Sequence, residues 1–284
     1  SYLEYFLGKN ILGYGQDIYK DRIVSFFKDE PIVAAYLNGF FFLIIGFLFN
    51  LNKANSKIFI ISFVLIILFL TCIIITGERS NTIKALFALF IFFLLNNKFN
   101  IKLRLLTFLS LIILFFFMIS NSNYLKYRYL DNMINPVFNS DEREKLLSEN
   151  IYIKHYKSGY AVFKNNPIFG VGNKNYRLET RNKINKEKKY LPDTHPHQIY
   201  LELFSEHGII GTTIFLSCMF FLIFRNIRDC LVSKNSMQLG AFCYLISTFL
   251  PILPSGSFFS DFNITLFFIN FSIFYACNPK SNIF

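Results

Sequence analysis

The sequence predicts an all-α protein: a polytopic transmembrane helical bundle carrying a large, partly helical extracytoplasmic loop. Three observations predict it. Hydrophobic residues make up 53% of the 284, and the mean hydropathy is +0.39, more apolar than a water-soluble core of this length needs. The apolar residues are gathered into repeated long runs. One polar interval, from about 121 to 208, separates the first group of runs from the last. The chain therefore reads as a single membrane domain over 1–284, with 121–208 inserted between spans.

A bilayer core takes about 20 apolar residues per helix, and somewhat fewer where flanking groups snorkel. Candidate runs are 32–49, 58–76, 82–95, 105–120, 209–224, 239–253 and 262–277. Seven spans follow, several of them short. Lys and Arg in short loops stay cytoplasmic, which assigns Lys53 and Lys57 to one cytoplasmic loop, Lys98, Lys102 and Arg104 to a second, Arg225, Arg228 and Lys234 to a third, and Lys280 to the tail. Alternation then puts residues 1–31, the turn TGERSNT, the segment 121–208 and the loop PSGSFFSD on the extracytoplasmic side. The long segment is itself basic, with Lys183, Lys186, Lys188 and Lys189 among others, but loops of that length escape the rule.

Within the long segment, SDEREKLLSENIYIKHYKSGYAVFKNN has acidic residues first. Its apolar positions at Leu146, Leu147, Ile151, Ile153, Tyr156, Tyr160 and Val162 have roughly helical period, with Ser140 as N-cap. NPIFGVGNKN reads as a Pro and Gly turn, and GVG at 170–172 as a tight turn, not a dinucleotide fingerprint, since no strand and helix frame it. Residues 173–190 are polar and lysine-rich and read as a mobile stretch.

Composition excludes several functions. The 38 Phe and 16 Tyr come with no Trp, beside many Ile, Asn and Lys, a usage expected of an AT-rich genome, so part of the formal charge of +11 reflects codon bias. The basic residues sit in loops and form no groove or motif, so no nucleic-acid partner is expected. Cys72, Cys218, Cys243 and Cys277 lie in apolar runs and Cys230 in a short basic loop, so they read as small hydrophobes, not a disulfide framework or thiolate cluster. The chain begins at Ser and has no signal pattern at its start. The expectation is an amino-terminally truncated chain.

Four side chains stand out. In LPDTHPHQIYLELFSEHGIIG, Pro196 suits the first turn of a helix. His197, Leu201, Phe204 and Gly208 then follow at helical spacing, with Gly208 a break before the span at Ile209. This places His197 at the top of a short interfacial helix. His195, before a proline, is held extended and points elsewhere. His197 is either an amphipathic interfacial side chain or a functional imidazole. His155, His195, His197 and His207 have no zinc-ligand spacing, so no metal is expected. Arg79, in TGERS, lies on the side where the sidedness rule disfavours positive charge, and its partner is either Glu78 or a phosphate, which a guanidinium fork matches. Arg22 precedes the first span on that side, and Arg143 opens the helix of the long segment. Each alone is an ordinary solvated charge, and their shared sidedness links them. Lys84 snorkels toward the same surface.

HPHQIYLELFSEHGIIG resembles a signature of the O-antigen ligase and polymerase superfamily, in which a His-Pro-His-Asn-like element runs into a helix and a Gly-Ile-x-Gly turn. NNPIFGVGNKNY is similar to the Pro-x-x-Gly-x-Gly element before it, TGERS to the family's Ser-Gly-x-Arg-Ser turn, and RIVSFFKDEPIVAAYL to its arginine-containing segment ahead of an earlier span. The likeness covers nearly the whole chain in the same order. Gln198 stands where the family has Asn, Glu78 where it has a small residue, and family members have more spans.

The resemblance implies a metal-independent, cofactor-free glycosyltransferase in the bacterial inner membrane, working on its periplasmic face among membrane lipids. The donor would be a glycan on undecaprenyl diphosphate and the acceptor a sugar hydroxyl of lipid A-core or of a second lipid-linked glycan. His197 would be general base, Arg79 and Arg22 diphosphate clamps, and Arg143 a third. Ligase, polymerase and protein-glycosylating enzymes share this donor and are not separated by sequence. Two other classes remain. A transporter or flippase for a lipid-linked anion would want outer arginines, but also polar groups near the bilayer midplane, of which these runs show almost none. A scaffold without chemistry would make Arg79 and His197 silent to substitution.

Overall fold

The structure, a computed structural model, describes residues 1–15, 22–28, 30–51, 56–96, 98–182 and 190–278. Lys53, Lys183, Lys186, Lys188, Lys189, Lys280 and the side chain of Leu146 lie outside the described residues. The described chain is helical, and its β structure is an isolated Lys9–Gly15 bridge. The helices used below are, in chain order, α1 Val33–Leu51, α2 Ser56–Ile75, α3 Arg79–Leu95, α4 Ile101–Ser120, α5 Ser140–Glu149, α6 Ile151–Asn165, α7 Tyr176–Arg181, α8 Ile199–Arg225, α9 Ser236–Thr248 and α10 Asp261–Ala276. A π-helix, Lys126–Ile134, lies between α4 and α5.

All seven apolar runs fall mainly in helices. Among the described residues three helices are long and apolar enough to cross a membrane, Val33–Leu51, Ile101–Ser120 and Ile199–Ser233; Ile60–Ile75 and Asp261–Ala276 are apolar but shorter. Polar caps move the boundaries. α4 begins earlier than its apolar run because Asn100 Oδ1 accepts from Leu103 N at 2.8 Å. α9 begins at Ser236 because Asn235 Oδ1 accepts from Met237 N and Gln238 N at 3.0 and 3.3 Å. It stops at Thr248, short of the expected 253, ahead of Pro251, which lacks the N–H a helix needs.

The chain forms two compact units: Ser1–Val137 with Asn226–Thr248 and Leu266–Phe284, and Phe138–Arg225 with Phe249–Thr265. The first is held by close backbone approach. A Cβ at Gly240 of α9 would lie 2.1 Å from the Phe42 carbonyl oxygen of α1, and one at Gly46 of α1 would lie 2.5 Å from that of Ser236. Where lipid gives no hydrophobic drive for association, such small-residue contacts and interhelical hydrogen bonds hold helices together. Asn270 of α10 donates to Gly39 O at 2.8 Å, and Asn38 of α1 to Asn81 O at 2.9 Å. The rings of Phe49, Phe92, Phe93 and Phe99 pack together, mostly edge to face, at separations of 5.1 to 6.5 Å.

In the second unit, the stretch read as one helix from Ser140 is two. Asn139, not Ser140, caps α5, with Oδ1 accepting from Asp141 N at 3.0 Å. Asn150 interrupts the chain and caps α6, accepting from Tyr152 N at 2.8 Å. Tyr176–Arg181 is helical within the stretch expected to be mobile. α8 is bent at Gly208, where φ is 62° and ψ is −170°, a region open essentially to glycine alone. The NPIFGVGNKN turn docks against that bend: Ile209 N donates to Pro167 O at 2.8 Å, Val171 N to Ser205 O at 3.0 Å and Gly172 N to Glu206 O at 2.8 Å. Gly170 and Gly172 take positive φ as a tight turn requires. The Glu206 carboxylate accepts from Lys174 N and Tyr176 N, and that of Glu202 from Ser257 Oγ and Phe258 N. These buried acids pin two loops to the α8 stem.

Candidate functional site

His155 and Gly159 lie one turn apart on α6 and so share a face. A Cβ at Gly159 would fall 2.6 Å from Pro196 Cβ, so the absence of a side chain there lets the Pro196 segment lie against the helix. This approach gathers three imidazoles. The His197 ring lies 4.6 Å from that of His155 and 4.1 Å from that of His195, with Tyr152 edge-on at 5.9 Å. Between them, Asp193 Oδ2 lies 3.2 Å from His197 Nε2 and 3.3 Å from His155 Nε2. His155 is buried, while the side chains of His197 and Asp193 keep 28% and 26% of their surface exposed. His197 has φ 54°, an uncommon conformation for a non-glycine residue. Its carbonyl is anchored by Ser255 N at 2.9 Å.

Three expectations change here. His197 is not in the first turn of a helix: α8 starts at Ile199, and Gln198 caps it, with Oε1 accepting from Leu201 N at 2.7 Å. His195 does not point elsewhere; the left-handed turn at His197 folds the two rings together. Ligand spacing along the chain also hid a metal-capable set, because His155 comes from a different helix: His155, Asp193 and His197 each offer one ligand atom within 4.8 Å of the others.

Burial, with the neighbouring His197 ring, lowers His155 and pushes His195 down to about 4, against the opposing pull of Asp193. For Asp193 burial acts upward, but the Thr194 N–H, His197 and His155 outweigh it and hold the carboxyl low. The signs agree. A histidine with a depressed folded value contributes stability that is present above about 6.5 and lost as pH falls toward its folded value, and a depressed carboxyl likewise loses its contribution on acidification. The unfolding midpoint of the detergent-solubilised protein is therefore expected to fall as pH drops from about 7 to about 4.5, and His195→Gln to flatten that slope; a midpoint independent of pH would contradict these assignments.

The first unit holds Arg22 and Arg79 at one turn. Ile23 N donates to Thr76 O at 3.3 Å, which brings the Arg22 segment to the turn at 76–78. Arg79 is the first residue of α3, not part of the turn, and its Nη1 donates to Asn132 O of the π-helix. The Glu78 carboxylate accepts from Ala34 N at 2.8 Å and Asn81 Nδ2 at 2.7 Å. Burial pushes Glu78 up to about 7, against those bonds and the Arg22 charge. The sequence reading missed Arg128. It is buried, and donates through Nε and Nη2 to Gly77 O at 3.2 and 2.9 Å. Its place depends on the π-helix, whose wide turn leaves no mark in a 3.6-residue pattern. Lys84 is half-buried on α3. Arg143 is exposed on α5, in the second unit with His197.

Residues 63–216 match the family model described as O-antigen ligase. The matched stretch contains Arg79, Arg128, Arg143, His155, Asp193 and His197, and Arg22 lies ahead of it. No curated protein and no solved structure matches.

Proposed function

This chain belongs to the O-antigen ligase family, and on that premise we propose that it transfers a glycan from an undecaprenyl-diphosphate-linked donor to a sugar hydroxyl at the periplasmic face of the bacterial inner membrane. The observation that carries the reading is the partly exposed His197 imidazole, held against Asp193 inside the matched region. The acceptor hydroxyl gives its proton to His197 as its oxygen attacks the anomeric carbon. The bond from that carbon to the diphosphate oxygen breaks, and the electron pair leaves with the diphosphate. Arg79 and Arg22 stabilise that departing charge, with Arg143 as a third cation, and in-line attack inverts the anomeric centre. The proposed transfer needs no metal.

The test is transfer by the full-length chain in proteoliposomes, with an undecaprenyl-diphosphate-linked oligosaccharide as donor and either lipid A-core or a second lipid-linked oligosaccharide as acceptor. Product on lipid A-core assigns ligase activity, and chain elongation assigns polymerase activity. No product with either acceptor refutes the proposal. Arg79→Ala is expected to lower transfer about 10²- to 10³-fold, the scale of removing one donor to a developing anion, with Arg79→Lys recovering part of it. Equal rates in all three proteins would remove Arg79 from the reaction.

A further inference from the structure

We infer that Asp193 is the positioning carboxylate of the base: it holds His197 as the Nε2–H tautomer and so presents Nδ1 as the nitrogen that receives the acceptor's proton. The inference rests on His197 being the base of the proposed transfer.

An ionised carboxylate only accepts hydrogen bonds. With Oδ2 hydrogen-bonded to His197 Nε2 at 3.2 Å, that imidazole must donate to it through Nε2–H, and His155 Nε2 lies 3.3 Å from the same oxygen. A neutral ring protonated at Nε2 has its lone pair at Nδ1. The carboxylate is itself fixed. Oδ1 accepts from Thr194 N at 2.5 Å and Thr194 Oγ1 at 3.2 Å. Thr180 Oγ1 lies within 3.4 Å of both Asp193 N and Asp193 O. His155 Nε2, on α6, lies within 3.3 Å of Oδ2. The groups facing His197 are thus Asp193, His155, His195 and Tyr152. Asp193 is the anion among them, so the imidazolium formed when Nδ1 takes a proton is stabilised through Nε2–H. Asp193 stays ionised throughout, and the imidazolium gives its proton to solvent water after the diphosphate has left.

The same three atoms could instead surround a metal ion. The surroundings favour the hydrogen-bonded arrangement. A histidine ligating through Nε2 carries its proton on Nδ1 and passes it to an acceptor. His155 Nδ1 is buried with no hydrogen-bond partner, so a proton there would be stranded, whereas a lone pair there leaves no donor unsatisfied.

The test uses the full-length chain in micelles, labelled with ¹⁵N-histidine, the His197 signals being assigned by their loss in His197→Gln. Wild type is expected to show His197 with its proton on Nε2, and Asp193→Asn to move that proton toward Nδ1. With the lipid-linked oligosaccharide donor and lipid A-core acceptor or its lipid-linked alternative, Asp193→Asn should lower kcat about 10²- to 10⁴-fold with the donor KM within about twofold. Asp193→Glu should recover part of kcat, and this variant keeps the test open if the asparagine protein does not fold. An unchanged His197 tautomer in Asp193→Asn, or kcat unaffected in Asp193→Asn and Asp193→Glu alike, overturns the inference. So does one equivalent of zinc in the purified protein that disappears in both Asp193→Asn and His155→Gln. A tautomer shift accompanied by full activity of His197→Ala would strike down the base reading and uphold the Asp193 contact, so the two failures are distinguishable.

Discussion

Replacing His197 by alanine is expected to reduce glycan transfer by about 10²- to 10⁴-fold, the range a positioned general base supplies, while the protein remains in the membrane at its normal level. Structural damage is the competing cause of such a loss, and the geometry allows it to be separated. His197 sits at φ 54° with its carbonyl held by Ser255 N. Alanine is strained there, whereas asparagine enters that region more readily and brings no base. His197→Asn should therefore match the wild-type unfolding midpoint and still be as inactive as His197→Ala. Transfer at the wild-type rate by either variant removes His197 from the chemistry and leaves it as an interfacial side chain.

Gly208→Ala is expected to be the most disruptive single-methyl substitution in the second unit. Two costs fall on one atom. Gly208 has φ 62° and ψ −170°, where an L side chain costs about 1–3 kcal/mol. A Cβ there would also lie 2.2 Å from Ile168 O and 2.5 Å from Phe169 N, backbone atoms that move only if the turn moves with them. Overpacking of this kind adds about 1–3 kcal/mol. The turn is tied to the stem by Ile209 N to Pro167 O and Val171 N to Ser205 O, so relief by straightening α8 would break those bonds. A thermal unfolding midpoint in detergent lowered by several degrees, with loss of transfer, is the expected result. A Gly208→Ala protein as stable and active as wild type would mean that the bend and the turn are not coupled as described.

The membrane character was legible in the residues, because a run of apolar side chains long enough to span lipid announces itself without a partner. All seven runs fall mainly in helices, yet among the described residues three helices meet the length and composition a span requires, and the ends of α4 and α9 follow Asn100, Asn235 and Pro251, not the last apolar residue. Gly208 was legible as a break for the same local reason, since a conformation that excludes Cβ calls for glycine wherever it occurs. His197 stood out in its sequence surroundings, while its role as base came from the family resemblance and is a proposal.

His155 and Asp193 were not recognised as its neighbours. Nothing in the sequence of α6 says that His155 faces Asp193; that depends on Gly159, whose missing side chain lets Pro196 close against the helix. Arg128 went unseen because a π-helix changes which side chains share a face, and a pattern search assumes the ordinary turn. The sequence by itself determined that this chain is a helical protein with apolar runs long enough to cross a membrane and with an imidazole and arginines in its polar segments, because apolar run length and glycine's backbone freedom are properties of single residues and short runs. Only the tertiary structure decided that two histidines share one carboxylate oxygen and that Arg128 reaches the turn beside Arg79, because those contacts depend on helices meeting across long stretches of chain.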